Sequence, residues 1–202
     1  MIKAVIFDYG GVAIYVNEEA TLVDMANTYG VDITTFRKHF EPIAARMEKG
    51  MISERTLWRL LSNSLNKPLP KNRFILFNRQ FIKNLVFYPE IFALVKKLKQ
   101  RRYKTAVLSN SCSANTRLIE ERGGYDVFDE QIISFRVHLS KPDPKIFKLA
   151  AKKLGVSLSE CLFIDDEEKN LIPAKRLGMK TLLAVSPKQV VKEVSRLLEL
   201  TD

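Results

Sequence analysis

Cysteine and histidine are scarce in this sequence of 202 residues, which contains two of each. Cys112 and Cys161 lie far apart, and each falls in or beside a predicted buried strand. We therefore expect reduced thiols that pack inside a cytoplasmic protein, and no disulfide framework. His39 and His138 have no partner at the spacing of metal ligands, so neither is predicted to bind a metal.

Long apolar runs are also missing. No stretch reaches the roughly 18 apolar residues of a membrane-spanning helix, so no membrane partner is expected. The first apolar run is interrupted by Asp8, where the core of a signal peptide would continue. With 46% hydrophobic and 28% charged residues, the composition is typical of one globular domain, or of one domain that carries an insertion.

Acidic residues are too few to balance the basic ones, and the net charge is +10. Such an excess suits nucleic acid, an anionic surface or a phosphorylated substrate. The most basic stretch, residues 96–104, overlaps apolar residues at helical spacing, which predicts a solvated basic face on an amphipathic helix. Zinc-finger spacing and stacked-aromatic signatures are absent from the sequence, so nucleic acid is not an expected partner.

Short apolar runs alternate with helical patterns from about residue 87 onward. Helices are predicted over 113–122, 144–154, 168–177 and 188–199, with Asp143 as an N-cap, Pro144 at the first position and Gly155 just past the end of the second. Strands are predicted over 105–109, 131–134, 161–165 and 181–185, and residues 2–7 join them by composition. This alternation predicts an α/β fold with a parallel sheet that helices cover on both faces.

Residues 17–85 show no strand alternation. The segments "NEEATLVDMANTYG" and "SERTLWRLLSNSL" carry helix caps and amphipathic spacing, and a further apolar helix is predicted up to about residue 85. We therefore predict an all-helical block, residues 15–86, inserted into an α/β core formed by residues 1–14 and 87–202.

Polar residues follow the predicted strands at the points where these strands end. Because ligands bind outside the carboxyl ends of parallel strands, we expect these side chains to converge on one crevice. They comprise an acid after the first strand, a hydroxyl after the second, a lysine in the loop after the third and an acid pair after the fourth: Asp8, Ser109, Lys141, Asp165 and Asp166.

Three carboxylates in one crevice would repel one another. Two like charges about 4 Å apart cost about 4 kcal/mol at an effective dielectric constant of 20, so a pKa must rise or a cation must bind. A site of oxygen ligands without histidine or cysteine suits Mg²⁺. Gly10 and Gly11 leave backbone N–H groups accessible to an anion, so the collection suits a phosphoryl group beside a metal.

Four segments resemble the motifs of the haloacid dehalogenase (HAD) superfamily in order and spacing: "FDYGGV", "LSNS", "KPDPKIF" and "FIDDEEKN". The resemblance covers residues 2–14 and about 87–200, and the helical block is similar to the cap that the superfamily inserts after its first motif. It implies a Rossmann-like core and a phosphatase that acts on a small phosphorylated metabolite, with a sugar phosphate as a reasonable substrate.

The resemblance also implies a role for each site residue. Asp8 would be the nucleophile that forms an aspartyl-phosphate, while Ser109 and the backbone N–H of Asn110 would bind the phosphoryl oxygens. Lys141 would steady the nucleophile and the developing charge. Mg²⁺ would bind Asp8, the carbonyl of Gly10 and Asp166, with Asp165 as a supporting acid.

One position departs from the superfamily pattern. Most of its phosphatases carry a second aspartate two residues after the nucleophile as a general acid and base, and this chain has Gly10 there. We expect slow hydrolysis that favours good leaving groups, because general acid–base catalysis typically contributes about 10²- to 10⁴-fold. Tyr9 does not replace the acid, since strand alternation directs it to the opposite face.

Two alternatives stay open on the sequence alone. A 2-haloacid dehalogenase would use the same nucleophile on carbon without a metal, although the acid pair Asp165–Asp166 favours a metal-dependent phosphatase. A non-catalytic member of the fold would bind a phosphorylated ligand or nucleic acid, an interpretation that rests on Gly10 and the net charge of +10.

Overall fold

A five-stranded parallel sheet organises the computed structural model, which describes residues 1–73, 78, 81–83 and 85–200. Its order is β5-β4-β1-β6-β7, so the first strand lies at the centre and the chain proceeds to both sides of it. All neighbouring pairs are parallel. The described strands are β1 (Ala4–Phe7), β2 (Ile14–Val16), β3 (Leu85–Phe87), β4 (Lys104–Ser109), β5 (Glu130–Ile133), β6 (Cys161–Asp165) and β7 (Lys180–Leu183).

Helices cover both faces of this sheet, which confirms the predicted α/β class. Those described are α1 (Glu18–Tyr29), α2 (Ile33–Glu48), α3 (Glu54–Leu65), α4 (Pro89–Gln100), α5 (Ser113–Glu120), α6 (Ser134–Val137), α7 (Pro144–Leu154), α8 (Glu168–Arg176) and α9 (Pro187–Leu197). The caps of α7 follow the prediction: the Asp143 side chain accepts from the backbone N–H of Lys145, and Gly155 ends the helix with a φ of 63°. None of the described helices is long and apolar enough to cross a bilayer.

Strand alternation divides the core of the sheet into two layers. Val5 and Phe7 of β1 pack toward α4 and α9, while Ala4 and Ile6 pack toward α7 and α8. All four residues are fully buried, as expected for a central strand covered on both faces. This packing fixes the direction of β1 and therefore the position of the residue that follows it.

Helices α1, α2 and α3 form a separate apolar cluster around Phe36, Trp58 and Leu61. The expectation of an all-helical block needs a correction at its two ends, because β2 and β3 form an antiparallel ribbon that joins the block to the core. Most of the helix predicted up to residue 85 falls on residues 74–77, 79, 80 and 84, outside the described residues. Cys112 and Cys161 are buried and free, in agreement with the prediction.

Candidate active site

The carboxyl edge of the sheet brings the predicted polar residues together. Asp8 directly follows β1, Ser109 ends β4 and Asp165 ends β6, so three adjacent strands deliver their last side chains to one place. Asp166 comes next in the chain, and Lys141 arrives from the loop before α7. The cleft at this edge has a volume of about 480 Å³ and is lined by Asp8, Gly10, Ser109, Asn110, Lys141 and Asp166, among others.

Lys141 occupies the centre of a buried ion triad. Its Nζ lies 2.7 Å from Asp8 Oδ1 and 2.7 Å from Asp165 Oδ2. Lys141 is 5% exposed and Asp165 is fully buried. Because a buried charge is tolerated when it is paired and hydrogen-bonded, the two carboxylates and the ammonium group depend on one another. The geometry thus places one cation against the nucleophile candidate.

Asp165 is held rigidly by further hydrogen bonds. Its Oδ1 accepts from the backbone N–H of Glu167 at 2.9 Å and from the Asn170 amide at 3.0 Å. Since Oδ2 receives Lys141, both oxygens of this carboxylate are engaged. Asp165 therefore orients Lys141 and the start of α8, whereas its neighbour Asp166 is exposed at the cleft.

Asn110 positions the lysine loop through its side chain. The amide nitrogen donates to the carbonyl of Lys141 at 3.0 Å, and the backbone N–H of Lys141 donates to Asn110 Oδ1 at 2.8 Å. Only the backbone N–H of Asn110 is predicted at the site from the resemblance, and this reciprocal pair is not predicted. The partners are 31 residues apart, so no local pattern in the sequence indicates it.

Asp166 lies directly over Gly11. A Cβ atom added to Gly11 would stand 2.0 Å from Asp166 Oδ2, and the glycine has a φ of +70°. Any side chain at this position would push the carboxylate away and would strain the backbone. The glycine therefore permits the close approach of the first loop to the acid pair.

The carboxylates fit a magnesium ion. One oxygen from each of Asp8, Asp165 and Asp166 lies within 4.8 Å of the other two. Oxygen ligands of this kind are those that Mg²⁺ prefers, and Mg²⁺ commonly uses only one or two carboxylates. With both oxygens of Asp165 already bonded within the protein, Asp8 and Asp166 are the carboxylates available to a metal.

The electrostatics of the cluster also favour a cation. Burial raises the pKa of Asp8 to about 7, because desolvation outweighs the attraction of Lys141 and the repulsion of Asp165 adds to it. Burial, with Asp165 nearby, raises the pKa of Asp166 as well. Burial disfavours the charged form of Lys141, but Asp8 and Asp165 hold the pKa of this ammonium group above its ordinary value. A divalent ion would relieve this crowding.

No acid stands at Gly10, and the space beside it is open. A Cβ atom added there would meet no other heavy atom within 4 Å. Tyr9 does not substitute for the acid, because its buried hydroxyl donates to the carbonyl of Gly124 at 2.7 Å on the other side of the strand. The proton donor expected from the superfamily pattern is therefore missing from the first loop.

The helical block contributes two carboxylates that the sequence analysis missed. Glu18, at the start of α1, and Glu48, at the end of α2, both line the cleft. Burial raises the pKa of both, and the neighbouring Glu167 adds to the rise. Their position follows from how the block packs on the core, for which the sequence has no local signal.

Comparisons with known proteins show which family and which folds this chain resembles. A family model described as haloacid dehalogenase-like hydrolase matches residues 2–178. The D-ribitol-5-phosphate phosphatase of Bacteroides thetaiotaomicron is 26% identical over 188 residues, 90% of this chain and 91% of that protein. The (S)-2-haloacid dehalogenase 4A of Burkholderia cepacia is 30% identical over 101 residues, 50% of this chain and 44% of that protein.

Among solved structures, a HAD family enzyme of Bacteroides thetaiotaomicron in complex with magnesium and inorganic phosphate superposes with a TM-score of 0.77. It is 25% identical, and the match covers 92% of this chain and 96% of that one. The chain spans between 10% and 56% of the length of the first four curated relatives that it matches.

Proposed function

Because the chain belongs to the haloacid dehalogenase-like hydrolases, we propose that it is a Mg²⁺-dependent phosphatase that hydrolyses a small phosphorylated metabolite through an aspartyl-phosphate on Asp8. The observation that carries this proposal is the Lys141 ammonium group, 2.7 Å from both Asp8 and Asp165. It lies beside carboxylates that fit a magnesium ion. The helical block, residues 15–86, would act as a cap over this cleft.

Asp8 has one carboxylate oxygen committed and one available. Oδ1 accepts from the backbone N–H of Tyr9 at 2.6 Å and faces Lys141 at 2.7 Å. Neither of these two contacts, both with described residues, uses Oδ2. Oδ2 is therefore the attacking oxygen. Its attack on phosphorus forms the aspartyl-phosphate and breaks the bond from phosphorus to the leaving oxygen.

Lys141 and the loop after β4 would stabilise the charge that develops in this step. The Ser109 hydroxyl and the backbone N–H of Asn110 would bind the phosphoryl oxygens, while Asn170 and Asp165 keep Lys141 in place. Asp8 and Asp166 would hold Mg²⁺, which would supply positive charge to the phosphoryl group. Water would then hydrolyse the aspartyl-phosphate and restore the Asp8 carboxylate.

The experiment is a panel of phosphorylated metabolites, assayed for phosphate release with and without Mg²⁺. We expect turnover only with Mg²⁺, and loss of turnover in Asp8→Asn. Asp24→Asn is the matched control, because Asp24 lies in α1 and does not line the cleft. Turnover by Asp8→Asn at the wild-type rate would refute the proposal.

A separate assay with a 2-chloroacid tests the dehalogenase alternative, which is suggested by the similarity to a haloacid dehalogenase over 101 residues. Chloride release from a 2-chloroacid in the absence of Mg²⁺ would favour that activity over phosphate release. The exposed Asp166 beside Gly11 argues for the metal-dependent reaction.

A further inference from the structure

A second cavity opens from the cleft into the helical block. It has a volume of about 300 Å³, within the range of pockets that hold small molecules. The cavity and the cleft share lining residues, so they form one continuous space: Gly10, Val16, Glu18, Glu48, Ser109 and Asn110. A phosphoryl group bound at Asp8 would therefore place its leaving group near Gly10, at the entrance to this cavity.

The walls of the cavity are largely apolar. They include side chains from α1, α2 and α5 and from the segment before β3: Leu22, Met25, Phe40, Met47, Phe81 and Ile119. Met25, Met47 and Phe81 are buried. Burial of an apolar group here gains roughly 25 cal/mol per Å² removed from water, whereas a sugar would lose hydration without equivalent partners.

Most polar groups of the cavity already have partners. Arg37 pairs with Glu19 and Glu41, and the Thr21 hydroxyl donates to the carbonyl of Asn17. Asn115 is different, because its Oδ1 is buried and has no hydrogen-bond partner among the described residues. A buried acceptor without a partner costs free energy, so a ligand that donates a hydrogen bond here would be favoured.

Two carboxyl groups stand at the entrance. Glu18 and Glu48 line both the cleft and the cavity. A leaving group with a second phosphate or a carboxylate would be repelled by these side chains, whereas a neutral group would not. Arg37 also lines the cavity, but it is paired with Glu19 and Glu41, so the two entrance glutamates favour a neutral leaving group over an anionic one.

The chemistry at Gly10 points independently to the same kind of leaving group. Without a proton donor, the bond to phosphorus breaks most easily when the leaving oxygen is stable as an anion. A phenolic oxygen has a pKa of about 10, far below that of an alcohol. Both the missing acid and the apolar cavity therefore suit an aryl phosphate.

We propose that the substrate is an aryl phosphate whose neutral aromatic ring enters the cavity and carries a hydroxyl group that donates a hydrogen bond to Asn115 Oδ1. This inference rests on the proposed phosphatase function. Asp8 Oδ2 forms the bond to phosphorus, the bond from phosphorus to the aryl oxygen breaks, and the aryloxide leaves with the electron pair. Water in the cleft then protonates the aryloxide.

The first experiment compares kcat/KM for 2-naphthyl phosphate, phenyl phosphate and ribose 5-phosphate. The two aryl oxygens have similar acidity, so a preference for the naphthyl ester reports on apolar contact and not on leaving-group chemistry. We expect at least about tenfold in favour of the naphthyl ester, since small increments of apolar contact contribute about 10- to 200-fold. A ribose 5-phosphate value equal to that of the naphthyl ester would overturn the inference.

Substitution of the cavity wall provides the matched comparison. Leu22→Asn makes the wall polar while it keeps the number and branching of the side-chain heavy atoms, and it should reduce the naphthyl-to-phenyl ratio about tenfold. Leu149→Asn changes a similarly half-buried leucine in the other core layer and should leave the ratio unchanged. If Leu22→Asn does not fold, as judged by its thermal melt, Leu22→Ala takes its place. An unchanged ratio in the folded variant would overturn the inference.

The role of Asn115 is tested with 2-, 3- and 4-hydroxyphenyl phosphate. At least one isomer should exceed phenyl phosphate in kcat/KM, and Asn115→Ala should remove that advantage, about three- to tenfold. If all three isomers equal phenyl phosphate, Asn115 has no such role.

Direct binding of 2-naphthol, followed by its fluorescence, separates this inference from the proposed function. One outcome is that the protein binds 2-naphthol, that Leu22→Asn weakens this binding, and that no turnover depends on Asp8. This outcome would support the apolar cavity as a binding site and refute the phosphatase function. Asp8-dependent turnover of ribose 5-phosphate without naphthol binding would do the reverse.

Discussion

The two sides of Asp8 differ in how completely they are built. On one side, Lys141, Asp165 and Asn170 are buried and bonded at distances of 2.7–3.0 Å. On the other side, Gly10 has no heavy atom within 4 Å of the position where a side chain would begin. The protein therefore retains the groups that orient the nucleophile and stabilise charge, while position 10 lacks the side chain that would transfer a proton.

This difference separates two contributions that most phosphatases of the superfamily combine. Charge stabilisation depends on the buried triad, and its loss should affect every substrate. Proton transfer depends on the position of Gly10, and its gain should affect only substrates with poor leaving groups. The following predictions change one side at a time.

Lys141→Met should have the largest effect, because it removes the cation between two buried carboxylates. We expect phosphate release to fall at least about 10³-fold, in line with the loss of a charge-stabilising group. The free energy of unfolding should fall by about 3–5 kcal/mol, since Asp8 and Asp165 would be left without compensation. Steady-state kinetics and urea unfolding measure the two effects.

Lys145→Met is the control for this substitution, because Lys145 is an exposed lysine four residues along the same segment. It should change both quantities little. Retention of activity within tenfold in Lys141→Met would show that the buried triad does not carry the catalytic charge.

Gly10→Asp should have the opposite effect, a gain that depends on the leaving group. The position is open and carries no positive φ, so an aspartate fits without strain. Turnover of an alkyl phosphate should rise about 10²-fold, because the new acid protonates the alkoxide. Turnover of phenyl phosphate should rise much less, since a phenolate leaves without help.

Gly10→Asn separates acidity from size in this comparison, because it has nearly the shape of aspartate without a proton to transfer. Equal rates for the two variants would contradict the assignment of a missing acid. The naphthyl-to-phenyl ratio should persist in Gly10→Asp, since the cavity that favours the larger ring is unchanged.

The side of Asp8 that contains the buried ion triad could be predicted in outline from the sequence, because its residues stand at the ends of strands. Buried strands such as "AVIF" and "CLFID" are evident from composition, and parallel strands bring their carboxyl ends to one edge. Asp8, Ser109 and Asp165 are located by that rule alone. Lys141 could be placed at the same edge from the loop after a predicted strand, but its contacts with Asp8 and Asp165 could not, since a lysine in a loop has no position of its own in a periodic pattern.

The open side could not be predicted because it depends on tertiary packing. Glu18 and Glu48 reach the cleft only through the way in which α1 and α2 lie on the core. The ribbon of β2 and β3 has three residues in each strand, too few for alternation to show, and its partners are about 70 residues apart. Patterns in the sequence report local periodicity, and contacts between distant segments leave no periodic signal.

Gly11→Ala should weaken metal binding without removing any ligand. The added Cβ would stand 2.0 Å from Asp166 Oδ2, so the carboxylate must move. We expect the Mg²⁺ concentration for half-maximal activity to rise about 10- to 100-fold, the range seen when ligand orientation is disturbed.

Gly30→Ala controls for the backbone strain in Gly11→Ala. Gly30 has a similar φ of +62° but nothing within 4 Å of a new Cβ. It should cost stability without a change in the Mg²⁺ requirement. An unchanged Mg²⁺ requirement in a folded Gly11→Ala protein would argue against Asp166 as a ligand.

Ser134→Ala should have the smallest effect, because it removes one hydrogen-bonded contact between the core and the helical block. The buried Ser134 hydroxyl accepts from the backbone N–H of Ser111 at 2.9 Å and donates to the carbonyl of Glu48 at 2.6 Å. Its loss leaves both backbone groups without this partner, so the free energy of unfolding should fall by about 1–3 kcal/mol. KM should rise several-fold while kcat changes little, since this contact positions the end of α2 and takes no part in the reaction.

Ser195→Ala, on α9, is the control for urea unfolding and kinetics. A fall in kcat with KM unchanged would mean that this contact supports the charged side of the site and not the helical block.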